Sequence, residues 1–266
     1  MKKSWINNLL SEGKTLCFRG HHFYSKGIEP SSIVLDLGSH KGEFSSQMSE
    51  TFGCKCYAVE ALPYLYEQIK EDNLLIKFNY VITNVNEPVK IYISNNPEAN
   101  SINSLSAENW GVRGTVVVNG ITLEKFFQIN SINYVDILKI DIEGAEIELF
   151  NSTQDEMLLK IKQITIEFHD FIENFDCREQ VQTIKHRLHK LGFFSLSFSQ
   201  IYNTNTDILF INSNLCLFSK YDWLKLYIIK YIMIPIGKIK YNIRIKLSKL
   251  KQYFFSKQKN SAENLQ

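Results

Sequence analysis

With 266 residues, 44% hydrophobic and 22% charged, and a net charge of +2, the chain has the balance of an ordinary globular protein. That balance excludes collagen-like, wholly disordered and disulfide-framework chains. The length fits one large domain, or one domain with appendages. The charge is unevenly spread. From Lys220 onward there are ten lysines and one arginine against only Asp222 and Glu263, a net +9, so the preceding residues carry −7. An acidic body with a basic tail is a clue to partners.

Residues 1–30 read as a lead-in, with a short helix near residues 6–10 and a loop over "CFRGHHFYSKG". The N-terminus has two lysines but no long apolar run and no small-residue cleavage site, so no secretory signal is expected. The five cysteines are odd in number and scattered, which fits a reducing compartment. Cys54 and Cys56 read as strand residues, because no second pair completes a zinc pattern.

A regular rhythm begins at "SIVLDLG", a strand apolar on both faces. A helix over "EFSSQMSETFG", a strand over "CKCYAVE", a helix opening at Pro63 and a third strand over "NLLIKFNYVIT" follow. "EPVKIYIS" and "RGTVVVNG" read as strands around an irregular polar segment. "TLEKFFQIN" is a short helix with Thr122 as N-cap. "VDILKIDIEG" and "IKQITIEFHDF" are strands separated by the helix "AEIELFNS". "REQVQTIKHRLHKLG" is an amphipathic helix closed by Gly192. "FFSLSFSQ" and "TDILFINS" form an antiparallel pair. Strands alternating with helices predict a mostly parallel, doubly wound α/β sheet, closed by that C-terminal antiparallel hairpin. The domain reading is a lead-in over 1–30, a body over 31–215 and a tail over 216–266.

In such a sheet, ligands bind beyond the C-terminal strand ends at the switch point. "VLDLGSHKGEF" lies at one of those ends. Its glycines, Gly38 and Gly42, form D-x-G-x-x-x-G rather than the G-x-G-x-x-G of a dinucleotide loop. That spacing suits a ligand without phosphates, and S-adenosylmethionine is one. Gly38 would let the backbone approach the ligand. Asp36 would accept from its amine, or alternatively would cap the next helix. Glu60, at the next strand end, suits the two ribose hydroxyls. Asp141 and Glu143 end another strand and share one face if that strand runs so far. Glu167 and His169 stand two apart at the next strand end. His169 or Asp141 is a candidate general base, and the same acids are alternative ligands for a divalent cation. His186 and His189 fall on a solvated helix face, and His21 and His22 have no assigned role.

In this order, "VLDLGSHKGEF", "YAVEALP", "SINSL", "ITLEKFF", "LKIDIEGAE" and "ITIEFH" resemble the FkbM family of S-adenosylmethionine-dependent methyltransferases, over residues 33–171. The resemblance implies a Rossmann-like class I methyltransferase fold and methyl transfer to oxygen, often a sugar hydroxyl of a surface polysaccharide, glycolipid or natural product. It places Asp36, Gly38, Ser39 and Gly42 on the cofactor loop, Glu60 on the ribose acid, Ser101 and Ser104 on a serine loop, and Asp141, Glu143 and Gly144 on the second acidic motif. Ser39 and His40 replace the usual small residue and amide, "EALP" replaces Glu-Pro, and Glu124 stands where Asp is commoner. Asp141 and His169 are the catalytic candidates, and no metal ligand is assigned. The rival reading is a non-catalytic scaffold in a glycan-assembly complex, or transfer to a metabolite or protein.

The tail interleaves cations with Ile, Leu, Tyr and Phe. Its apolar stretch "LYIIKYIMIPI" is too short to span a bilayer, and Pro235 should kink it. It fits either an anionic membrane interface or packing on the body. The expected partner is a carbohydrate or glycolipid, with no nucleic acid. The expected location is the cytoplasm, either free or peripheral at the inner face of the membrane. Residues 257–266 read as disordered.

Overall fold

The computed structural model describes residues 13–96, 100–102, 104–108, 111–170, 176–199 and 206–263. The chain divides into two compact units, residues 1–199 with 203–218, and residues 200–202 with 219–266. The predicted helix near residues 6–10 lies outside the described residues.

The first unit is built on a seven-stranded sheet. Its strands are β3 (Ile33–Leu37), β4 (Lys55–Val59), β5 (Leu75–Phe78), β9 (Val135–Ile140), β10 (Ile161–Ile166), β11 (Phe193–Ser197) and β12 (Ile208–Asn212), in the order β11-β12-β10-β9-β3-β4-β5. The five strands from β5 to β10 are parallel, and β12 runs antiparallel to both its neighbours. This is the doubly wound, hairpin-closed sheet that the sequence predicts. Alternate residues of β3 feed opposite faces. Leu35 and Leu37 join one apolar cluster, while Val34 packs with Phe44, Met48 and Phe52 in another. Those three aromatic and Met side chains recur every fourth residue along α1 (Glu43–Phe52), which is how one stripe of that helix faces the sheet.

Two expectations fail locally. "CFRGHHFYSKG" is a hairpin and not a loop. It pairs β1 (Thr15–Phe18) with β2 (His21–Tyr24). Arg19 and Gly20 both adopt positive φ, 48° and 87°, the requirement of a two-residue hairpin turn whose twist matches its strands. The run "NLLIKFNYVIT" is not one strand either. It breaks at Asn79, whose side-chain amide donates to the carbonyls of Glu60 and Ala61. The chain then enters β6 (Val81–Ile82) of a second sheet, ordered β6-β8-β7 with β7 (Pro88–Ser94) and β8 (Val112–Ile121).

The remaining helices of this unit are α2 (Pro63–Tyr66), α3 (Ser104–Glu108), α4 (Leu123–Ile129), α5 (Glu146–Ser152), α6 (Asp155–Leu158) and α7 (Arg178–Lys190). Thr122 caps α4 by accepting from the Lys125 amide at 3.2 Å. Gly192 takes φ 91° just past α7 and returns its N–H to His189. All five cysteines are free thiols.

The second unit is helical. Ser219 and Asp222 form a capping box at the start of α8 (Lys220–Ile228), and a π-helical turn, Ile229–Met233, leads into α9 (Ile234–Glu263). The π turn immediately precedes Pro235. A widened turn relieves the clash of the proline ring with the preceding turn and the loss of its N–H. The helix runs on through residues 257–263, which the sequence suggested were disordered; Lys, Gln and Ala there are good helix formers. No described helix is long and apolar enough to cross a membrane.

Candidate functional site

A cavity of about 370 Å³ opens beyond the ends of β3, β4, β9 and β10, the switch point of the sheet. Its lining includes Gly38, His40, Glu60, Leu62, Tyr80, Asp141, Glu143, Glu167 and His169, with Arg19, Asn96 and Asn100 among its polar residues. Its volume falls in the range of small-molecule sites.

Glu60 follows β4 directly and is 6% exposed. One carboxylate oxygen accepts from the His40 amide at 2.8 Å and the other from the Leu62 amide at 2.9 Å. These bonds fix the plane of the carboxylate and leave further lone pairs on both oxygens. Burial pushes the Glu60 pKa up to about 7, against the pull of the two amides and of Lys139.

Asp36 lies one layer deeper. It is fully buried and is not part of the cavity lining. One oxygen accepts from the Ser45 hydroxyl at 2.8 Å; the other has no aligned hydrogen bond and rests on the Lys139 ammonium at 3.2 Å. Sequence reasoning missed Lys139. It stands in β9, a strand buried along its whole length, directly opposite Asp36 in the pairing register. A cation inside an apolar strand was the available signal, because a buried Lys is paired. Its ammonium also donates to the Gly38 carbonyl at 2.6 Å and lies 3.6 Å from Asp141. Burial opposes the Lys139 charge, yet Asp36 and Asp141 hold its pKa above the ordinary value.

Gly38 is required for a reason different from the one the sequence suggested. At φ 73°, a Cβ there would lie 1.8 Å from the backbone carbonyl oxygen of Asp141. The glycine therefore lets two strand-end loops touch, in addition to any approach it gives a ligand. Gly38→Ala should lower stability by about 2–3 kcal/mol, through the positive φ and a backbone clash that no rotamer relieves. Thermal melts check this. Gly42→Ala should cost less, since its Cβ would meet the flexible Ile69 side chain at 2.9 Å. Ser39 is buried, and its hydroxyl lacks a hydrogen-bond partner among the described residues.

The second acidic motif is a turn rather than a strand face. β9 stops at Ile140, Glu143 takes φ 52° and Gly144 φ 96°. β10 likewise stops at Ile166, before Glu167 and His169. The turns nevertheless converge. His169 is 4% exposed, with Nδ1 2.8 Å from Glu146 and Nε2 3.1 Å from Glu143 and 3.9 Å from Asp141. Burial works against its charge, but Glu146 and Glu143 raise its pKa well above the ordinary value. With carboxylates on both nitrogens, the ring stands here as a proton donor. Burial also opposes ionisation of Asp141, but Lys139, His21 and His169 hold its carboxyl well below the usual range. So low a pKa makes Asp141 a hydrogen-bond acceptor and a weak base. Glu167 is pushed up to about 7 by burial and then by Asp141.

His21 and His22, unassigned from sequence, separate in the fold. His22 Nδ1 pairs with Asp207 at 2.6 Å, and its ring stacks on Phe198 with centroids 3.9 Å apart. Burial opposes its charge, but Asp207 lifts its pKa to about 9. His21 is 2% exposed, and its Nε2 lies 3.5 Å from Asp141. His186 and His189 are exposed on α7, as predicted. Ser101 is buried beside β7, its backbone bridged to Tyr92, and Ser104 opens α3. Neither lines the cavity, although Asn100 and Ile102 of the same loop do.

The family model of the FkbM methyltransferase domain matches residues 36–195, spanning the loop after β3, the ends of β4 and β9, and β11. The chain belongs to the FkbM methyltransferase family. Among solved structures it is similar to the FkbM methyltransferase of Methylobacillus flagellatus KT, at 10% identity and a TM-score of 0.43, covering 68% of this chain and 44% of that one. It is also similar to the precorrin-6y C5,15-methyltransferase of Geobacter metallireducens GS-15, at 9% identity and a TM-score of 0.35, covering 70% of this chain and 80% of that one. The chain thus spans less than half the length of the first. No curated protein matches.

The chain carries the FkbM methyltransferase domain, and that family implies S-adenosylmethionine as methyl donor. The residues present fit that group. Glu60 offers a fixed carboxylate with free lone pairs, the Ser39 hydroxyl has no partner among the described residues, and Leu62, Leu65, Tyr80, Val81 and Ile82 give the lining apolar surface. Ionised Glu60 is the better acceptor for a diol. With a pKa about 7, affinity for S-adenosylhomocysteine should rise about tenfold between pH 6 and pH 8 as the carboxylate loses its proton. Stability should move the opposite way. The folded pKa lies above the unfolded 4.5, so the contribution of protonated Glu60 is complete below pH 4.5 and is lost as pH rises through 7. Titrations and melts at the two pH values check both signs.

Proposed function

We propose that the protein is an S-adenosylmethionine-dependent O-methyltransferase whose acceptor is a sugar hydroxyl of a polysaccharide, glycolipid or natural product. The observation that carries this reading is Glu60, held by two backbone amides in the lining of a cavity that offers both apolar and polar groups. Asp36, Gly38, Ser39 and Gly42 shape the loop under the cofactor's amino acid part, with Asp36 acting through Lys139 and not by direct contact. The Ser101 backbone, bridged to Tyr92, ties the loop that carries Asn100 to β7, and Ser104 opens α3 just after it.

The cofactor supplies an already activated methyl group, so the protein's main task is alignment. Amide and carboxylate side chains in the lining, Asn96, Asn100, Asp141 and Glu143, suit a polyol. Asp141 accepts the hydrogen bond of the reacting hydroxyl, and the proton passes to a neighbouring carboxylate, Glu143 or Glu167, whose pKa burial raises. The test is transfer of isotopic methyl from S-adenosylmethionine to a panel of sugars and lipid-linked glycans. Label in a sugar O-methyl ether, falling about 100-fold in Asp141→Asn while S-adenosylhomocysteine binding persists, is the expected result. Label only in metabolites or protein would overturn the acceptor class.

The tail supports a lipid-linked acceptor. On α9, Ile239, Ile243 and Leu247 repeat every fourth residue and are 59%, 53% and 54% exposed. At helical spacing, Lys240 and Arg244 fall to one side of that stripe and Lys238 and Lys249 to the other. An apolar stripe edged by cations fits the interface of an anionic bilayer. The intact protein should cosediment with phosphatidylserine vesicles at low salt and be released as salt rises. No retention at low salt would contradict it.

A further inference from the structure

Beside the cavity, three side chains from separate parts of the chain converge: His21 from β2, Asp141 after β9 and Glu167 after β10. One ligand atom of each lies within 4.8 Å of the others. The hairpin that brings His21 there is pinned to the sheet by the Gln163 side chain. Its oxygen accepts from the Tyr24 amide and its nitrogen donates to the Tyr24 carbonyl, both at 2.9 Å. His21 Nδ1 faces the buried Thr165 hydroxyl at 3.5 Å, while Nε2 points at Asp141. Ligating histidines usually give their second ring nitrogen to a carboxylate, carbonyl or water; here the Thr165 hydroxyl stands in that place at 3.5 Å.

Glu167 is the second observation. It lines the cavity, and its carboxyl has no hydrogen-bond donor among the described residues. Around it stand Asp141, Glu143 and Glu146, with His169 the cation that acts on it; Lys139 pairs with Asp36, donates to the Gly38 carbonyl and lies 3.6 Å from Asp141. A neighbouring set, Asp141, Glu143 and His169, is closed by its own contact, since Glu143 meets His169 Nε2 at 3.1 Å. The His21 set has no such internal closure around Glu167.

We propose that His21, Asp141 and Glu167 bind one divalent transition-metal cation. One nitrogen and two carboxylate ligands suit Mn²⁺, Fe²⁺ or Zn²⁺ over Mg²⁺ or Ca²⁺. Metal–ligand bonds of about 2.1 Å allow ligand atoms about 4 Å apart, so modest side-chain rotation closes the set. Asp141 and Glu167 line the cavity, which leaves coordination positions open toward it. There the cation would orient the acceptor hydroxyl; that role rests on the methyltransfer reading, and the binding does not.

The test titrates Mn²⁺, and separately Zn²⁺, into the full chain after chelation, by calorimetry, with bound metal counted by mass spectrometry. One equivalent should bind. His21→Ala and Glu167→Gln should each weaken it at least tenfold, and Thr165→Val about tenfold, with far-UV dichroism unchanged. No binding at 1 mM of either ion (about the weakest affinity worth counting), or binding that ignores His21→Ala and Glu167→Gln, overturns the site. S-adenosylhomocysteine titrated into the same sample separates the two claims. Cofactor binding without metal binding removes the site alone, and metal binding without cofactor binding leaves the site standing and removes the methyltransfer reading.

Discussion

Lys139→Met should destabilise the protein by about 3–5 kcal/mol. The methionine fills much the same volume, so packing loss is small. What is lost is the only ammonium beside the fully buried Asp36 among the described residues, 3.2 Å away, together with the bond to the Gly38 carbonyl. Removing one partner of a buried ion pair strands the other's charge, which costs more than the pair contributes. Lower pH should shrink the deficit, because a stranded carboxylate relieves its cost by taking up a proton. Chemical denaturation at pH 5 and pH 8 reads both effects. A loss under about 1 kcal/mol would mean that Lys139 does not anchor the loop. A double variant, Lys139→Met with Asp36→Asn, should recover part of the loss, since no buried charge then remains at that pair.

Glu60→Ala should weaken S-adenosylhomocysteine by at least about 100-fold. Two hydrogen bonds from ribose hydroxyls to a charged acceptor are worth about 1.5–3 kcal/mol each. The substitution also frees the His40 and Leu62 amides, which hold the edge of the cavity. Glu60→Gln separates the contributions. It keeps one acceptor oxygen but turns a donor toward one of the two amides, so its affinity should fall between wild type and Glu60→Ala and lose the rise from pH 6 to pH 8. An affinity for Glu60→Ala equal to wild type would place the ribose elsewhere.

Much of the fold was legible because parallel, doubly buried strands are continuous apolar runs with short helices between them. "SIVLDLG" and "VDILKIDIEG" fall at the sheet centre as read, and the late hairpin closes it. The legible part of the site was the part set by strand ends: Gly38, Glu60, Asp141 and His169 all border the cavity. What stayed hidden depends on pairing across the chain. Asp36 needs Lys139, 103 positions away, and only the β3–β9 register sets them opposite one another. His21 needs a hairpin whose turn was masked by an uncommon Arg-Gly pair, and then the Gln163 clamp that carries it to the sheet. Period-2 reasoning also overran the strands. The sequence puts Asp141 and Glu143 on one strand face only if that strand runs on, and it does not: the ladder ends at Ile140 and Ile166, positive φ at Glu143 and Gly144 turns the chain, and Glu167 follows β10 in irregular backbone.

The most direct test of the central claim is a crystal structure of the full chain with S-adenosylhomocysteine. The account predicts the ligand in the cavity beyond β3 and β4, with both ribose hydroxyls within hydrogen-bonding distance of the Glu60 carboxylate and the sulfur facing Asp141. Ligand density elsewhere, or a ribose turned away from Glu60, would contradict it.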